Sequence, residues 1–116
     1  MIKRKDTLTS LTSEAPFGAP GTVVRTPLLQ PEEFFGKGRV FNRMCLPVGS
    51  GIGSHVHEGE QEIYYILSGK GEYDNNGVKV EVGPGDLTLC PAGERHGIQN
   101  IGDTDLEFIA LILFVE

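Results

Sequence analysis

Residues 49–69 read GSGIGSHVHEGEQEIYYILSG, and this stretch decides the fold. It holds His55 and His57, two of the chain's three histidines, one residue apart. On a strand, side chains two residues apart point to the same face, so both imidazoles project from one surface. Gly59 marks a short turn, and Glu62 opens the next apolar run. A neighbouring antiparallel strand would bring that carboxylate beside the imidazoles. Glu58 and Glu60 are alternatives to it; Glu60 shares the parity of Glu62, whereas Glu58 falls in the turn. His96 follows the turn Pro91-Ala92-Gly93 and starts another strand, from which a curled sheet would let it close the set. Three neutral imidazoles and a carboxylate form a borderline nitrogen–oxygen site. It suits Mn, Fe, Co, Ni, Cu or Zn better than Ca or Mg. Four protein ligands leave one or two positions open for chemistry.

Outward from this stretch the chain reads as strands. Short apolar and β-branched runs cover Val40–Val48, Ile52–His57, Glu62–Ser68, Gly71–Asp74, Val78–Val82, Leu87–Cys90, His96–Asn100 and Leu106–Val115. Gly, Pro and Asn punctuate them. Asn75-Asn76-Gly77 is the clearest hairpin signal. Sixteen glycines in 116 residues fit a fold made of tight turns. Such a pattern predicts an all-β barrel or sandwich. Pro31 to Phe35 is the one helical turn expected, with Val23–Arg25 a short first strand. Residues 1–21, rich in Ser, Thr, Pro and Gly, read as a mobile or loosely packed arm, leaving 22–116 as the barrel domain.

Bulk properties narrow the function classes. The net charge is −6, and the one basic cluster, Lys3-Arg4-Lys5, lies at the N-terminus. No basic stripe is present to track phosphates, so neither nucleic acid nor an anionic membrane is an expected partner. Residues 1–21 have no apolar h-region and the longest apolar stretch is too short to span a bilayer, so the cytoplasm is the expected location. Cys45 and Cys90 sit in apolar runs and read as small buried hydrophobes.

The quoted stretch resembles the first cupin motif at every fixed position: Gly49, five residues, His55-x-His57, four residues, Glu62, six residues, Gly69. Residues 85–100, GDLTLCPAGERHGIQN, resemble the second: Gly85, five residues, Pro91-x-Gly93, two residues, His96, three residues, Asn100. The resemblance covers residues 40–116 and implies a double-stranded β-helix (jelly-roll) barrel with the metal in its lumen. It implies His55, His57, Glu62 and His96 as ligands of one divalent transition metal per chain (Mn, Fe, Ni or Zn), and so favours Glu62 over Glu60. It also implies pairing into a homodimer, as does the final run, which is apolar on both faces from Phe108 onward.

Parity supplies neighbours for the metal. If Glu62 points inward, so do Tyr64 and Ile66, and Tyr64 becomes a candidate substrate contact as well as a core aromatic. Ile98 shares the face of His96, and Arg95 faces outward. Arg43 is a second candidate contact for a carboxylate if it turns into the barrel mouth; outward, it is a surface charge. The sequence around His55 is similar to small prokaryotic cupins of the oxalate-decarboxylase-like group. The expected function is binding of, or action on, a small organic acid in the lumen, decarboxylase- or dioxygenase-like if catalytic. A non-catalytic metabolite- or metal-binding module is the alternative. A sugar isomerase or epimerase is a third reading, disfavoured by an intact ligand set.

Overall fold

The computed structural model describes residues 1–115, and the described residues form ten strands. In chain order they are β1 (Leu11–Glu14), β2 (Thr22–Pro27), β3 (Gly38–Leu46), β4 (Gly51–Val56), β5 (Glu60–Ser68), β6 (Gly71–Asn75), β7 (Val78–Val82), β8 (Leu87–Cys90), β9 (Arg95–Asn100) and β10 (Leu106–Phe114). The all-β expectation therefore holds. Two antiparallel sheets result, ordered β1-β2-β3-β10-β5-β8 and β4-β9-β6-β7. Short 3₁₀ turns at Lys5–Thr7 and Pro31–Phe34 are the helical segments among the described residues. No helix among them is long and apolar enough to cross a membrane.

The core lies between the sheets because each strand turns alternate side chains inward. Met44, Leu46, Tyr64, Ile66, Leu106, Phe108 and Ala110 from the large sheet meet Ile52, Tyr73, Val82 and Ile98 from the small one. Burying one such side chain stabilises the fold by about 1.5–3 kcal/mol. This apolar floor fixes the spacing of the two sheets, and thereby the distance between the histidines of one wall and Glu62 on the other. The Asn76-Gly77 turn closes β6 on β7 with both residues at positive φ, 52° and 93°. That is the backbone hand that a two-residue hairpin requires. Asn100, buried at the end of β9, donates to the Leu46 and Thr104 carbonyls and accepts from the Gly102 amide. It is a structural turn residue that ties the two sheets together.

The N-terminal segment corrects the expectation of a loose arm over residues 1–21. Leu11–Glu14 pairs with Thr22–Arg25 and extends the large sheet by its edge strand. Backbone pairing at a sheet edge needs no apolar period, so Ser- and Thr-rich sequence hid it. Lys3 also bonds the Leu28 carbonyl and the Glu33 carboxylate. Val23–Arg25 is thus part of the second strand.

The final run forms an interior strand. β10 pairs with β3 on one side and β5 on the other. Its inward residues Leu106, Phe108, Ala110 and Ile112 are buried, while Ile109, Leu111 and Leu113 on the other face are partly exposed. Cys90 is buried and Cys45 half-buried, both as free thiols. Burial pushes each thiol up to about 11.

Candidate metal centre

A β-bulge aims the site. Between β4 and β9, Ile52 pairs with Ile98 and His55 with His96, so Gly53 and Ser54 together oppose Gly97. The extra residue reverses strand parity. Ile52 and His55 both face the lumen although they are three residues apart, and His55 comes to lie opposite His96. The bulge needs glycines. A Cβ on Gly97 would lie 2.8 Å from the Ile52 carbonyl oxygen, and one on Gly53 1.9 Å from that of Phe17. His57 follows β4, and its backbone is pinned to the next turn by bonds with Gly93 and Glu94. Glu62 enters from β5 in the opposite sheet.

The four side chains converge. One ligand atom from each of His55, His57, Glu62 and His96 lies within 4.8 Å of the others. His57 Nε2 stands 3.0 Å from His55 Nε2 and 3.2 Å from His96 Nε2. Glu62 Oε1 is 2.8 Å from His57 Nε2 and 2.9 Å from His96 Nε2. Its separation from His55 Nε2 is 3.7 Å. Two donors bound at about 2.1 Å to one ion, at right angles, stand about 3 Å apart. The short edges of the cluster therefore match a coordination polyhedron. Facing imidazole nitrogens without a cation or proton between them would repel.

Each ring is held by its other nitrogen. His55 Nδ1 lies 2.7 Å from the Gly53 carbonyl, which can only accept, so Nδ1 carries the hydrogen and Nε2 is free to ligate. His57 Nδ1 lies 2.6 Å from Glu60 Oε2, another acceptor. His96 Nδ1 lies 2.7 Å from the Tyr73 hydroxyl. All three histidines thus turn Nε2 to the centre, the arrangement that partners beyond the ligands impose in metal sites.

Electrostatics agree with a cationic occupant. Burial, the largest single influence on Glu62, pushes its carboxyl up, yet bonds from His55, His57 and His96 hold it far below the usual range. His57 is raised by its bond to Glu62, against burial and together with Glu60. His96 is lowered, mainly by burial. The centre thus keeps a buried carboxylate ionised among imidazoles of which one holds a proton strongly.

The structure brings together all four residues read as ligands. Tyr64 is fully buried, stacked on His96 with ring centroids 4.9 Å apart and packed against Phe108 at 4.6 Å. Burial and the nearby Glu62 charge push its phenol well above its ordinary value. Ile66 and Ile98 are buried inward as expected and Arg95 is exposed. Arg43 is not at the site. Asn42 and Met44 take the inward face of β3, so Arg43 points outward and pairs with Glu107 at 2.8 Å. Sequence reading missed Phe17, whose ring stacks on His55 at 4.4 Å and 14°. It also missed Tyr73, the partnership of Glu60 with His57, and Arg39. Tyr73 was legible, since Gly71–Asn75 alternates inward and outward residues. A cavity of about 760 Å³ is lined by Arg25, Arg39, Val40 and Asn42 among others but touches none of the four candidate ligands.

Residues 42–113 match the Cupin domain family. The chain belongs to the cupin family. This cupin is 48% identical over 98 residues to a protein of Thermotoga maritima named oxalate-binding protein, spanning 84% of this chain and 81% of that one. It is 36% identical over 89 residues to an uncharacterized protein of Methanocaldococcus jannaschii, spanning 77% and 70% of the two chains. A crystal structure from Thermotoga maritima, described as a predicted oxalate decarboxylase, superposes with a TM-score of 0.95 at 43% identity, covering 99% of this chain and 100% of that one. The two sheets are accordingly those of the double-stranded β-helix, as the motifs imply.

A pH dependence follows from the histidines. A raised His57 favours the imidazolium in the metal-free cupin. That contribution is fully present below its ordinary value and is lost as pH rises through the raised one. An ion requires the bare Nε2, so binding releases a proton. Zinc affinity, measured by chelator competition, should climb between about pH 6 and pH 8, approaching tenfold per unit where one proton leaves. A flat profile across that range would contradict the assignment of His57 as a ligand.

Proposed function

We propose that this cupin binds one divalent transition metal, of the Mn, Fe, Ni or Zn class, through His55, His57, Glu62 and His96, and with it holds a small organic acid of the oxalate type. The observation that carries this reading is the convergence of four donor atoms from both sheets, with every imidazole Nδ1 already engaged elsewhere. An ion so held supplies Lewis acidity and open positions for carboxylate oxygens. The chain's own residues do the rest. Glu62 offsets part of the ion's charge. Tyr64, Phe108 and Ile98 form a dry wall behind it that strengthens electrostatic attraction for an anion. Phe17 covers one face of His55.

Binding is favoured over decarboxylation by the acids present. A decarboxylase needs a group to deliver or remove a proton beside its substrate. Glu62 is committed to three imidazoles, and Glu60 to Arg39 and His57. The Thermotoga relative named for oxalate binding supports the same ligand class. Calorimetric titration with oxalate is expected to show binding to zinc- or manganese-loaded protein, and none after chelation or in His57→Ala. Carbon dioxide release or oxygen uptake that depends on His57 would replace this reading with the enzymatic one. Equal oxalate binding with and without metal would refute it.

We also infer a homodimer. On the outer face of the large sheet, Leu111 pairs with Phe41 and Ile63, and Ile63 with Leu89; the next row runs through Ile109, Tyr65 and Leu87. Tyr65, Leu87 and Leu89 are 45%, 61% and 48% exposed, an apolar surface spanning several strands. Such patches on a sheet face mark interaction sites. Sedimentation equilibrium should give twice the 12.6 kDa chain mass, falling to one chain mass in Tyr65→Glu/Leu89→Glu. A wild-type monomer at tens of micromolar would exclude the pairing.

A further inference from the structure

His57 is the ligand with the least support from secondary structure. β4 ends at Val56 and β5 begins at Glu60, so His57 sits in the connection between them. Two backbone bonds place its main chain, but they leave the imidazole free to turn. On the side away from the other three candidate ligands, one contact holds the ring: Nδ1 to Glu60 Oε2, at 2.6 Å. Glu60 is in turn gripped by a fork. Arg39 Nε donates to Oε1 at 2.7 Å and its terminal nitrogen donates to Oε2 at 2.8 Å. Bidentate guanidinium–carboxylate pairs fix geometry as well as charge.

Arg39 reaches Glu60 because of a second bulge. Ile112 pairs with Val40 and Leu113 with Gly38, so Arg39 has no partner across the ladder. Regular alternation would send Arg39 outward with Phe41 and Arg43. The bulge turns it toward Glu60, and Gly38 is required there, because a Cβ would lie 2.4 Å from the Ile112 carbonyl oxygen. Backbone irregularity and side-chain fork thus end on one atom, His57 Nδ1. A surface ion pair that only stapled β3 to β5 would need neither the buried acid nor the contact with a ligand.

We propose that Glu60, clamped by Arg39, is a positioning residue for the metal: it holds His57 with the hydrogen on Nδ1 and Nε2 turned to the ion. The inference rests on the metal reading above and adds a pair of residues to it. Glu60 is then no ligand, despite sharing parity with Glu62, because both its oxygens are engaged on the side of His57 away from the centre. Glu60 also makes the His57 ring a stronger donor, as carboxylates behind metal-bound histidines do.

The test uses Zn(II) as probe, with affinity read by chelator competition and the His57 ring N–H read by proton NMR of the zinc-loaded protein. Glu60→Ala should weaken zinc binding by about 10–100-fold and shift or abolish the His57 Nδ1–H signal. Glu60→Gln, whose amide oxygen still accepts from Nδ1, should recover part of both. Arg39→Ala, at a half-exposed side chain that leaves the fold intact, should give a smaller loss with the signal broadened. The double variant should be no weaker than Glu60→Ala alone, since the two act as one unit. Glu58→Ala, an exposed acid nearby, should bind as wild type and controls for net charge. Wild-type affinity in Glu60→Ala, an unchanged His57 signal, or additive losses from Arg39 and Glu60 would overturn the proposal while leaving the metal site standing. Wild-type protein that takes up no zinc would overturn both.

Discussion

The structure turns on a buried carboxylate that cannot stand alone. Glu62 lies inside an apolar shell, where an isolated negative charge would be expelled or neutralised by a proton. It stays ionised because three imidazoles face it. Those imidazoles in turn crowd one another at 3.0–3.2 Å around His57, an arrangement that needs positive charge between them. A divalent ion satisfies the acid and the nitrogens together. The bulged glycines, the turn holding His57 and the aromatic stack on His96 place these four groups in register.

Much of this was legible in the sequence because motif spacing encodes it. The His55-x-His57 pair lies at the end of β4 and just beyond it, and Glu62 and His96 stand near the starts of β5 in the facing sheet and of β9 beside it. The motif glycines Gly69, Gly85 and Gly93 all adopt positive φ, as tight turns favour. The all-β architecture followed from short apolar runs and frequent turn residues. The β6–β7 hairpin followed from Asn76-Gly77. These signals are local, and local chemistry is what a sequence displays directly.

The unread parts are those in which parity fails or distant segments meet. A bulge changes which residues face inward without changing composition. Arg39 could therefore not be separated from Arg43 as the arginine near the site, and Arg43 proved to belong to the outer surface. Phe17 lies in a Pro- and Gly-rich segment with positive φ of its own, and nothing near it in sequence announces His55 as its partner. The strand Leu11–Glu14 has no apolar period to reveal it. Tyr73 is different: its alternation was readable, and only the identity of the ring it touches was not. The family likeness supplies the shell, while the choice of an oxalate-type ligand depends on relatives, and that of binding over decarboxylation on the commitment of Glu60 and Glu62.

The most direct test of the central claim is anomalous diffraction from crystals of this cupin grown with manganese or zinc. The account predicts one strong peak per chain at about 2.1 Å from the Nε2 atoms of His55, His57 and His96 and from a Glu62 oxygen. A barrel in which Glu62 or His96 turns away from the paired imidazoles, with no peak among the four, would contradict it.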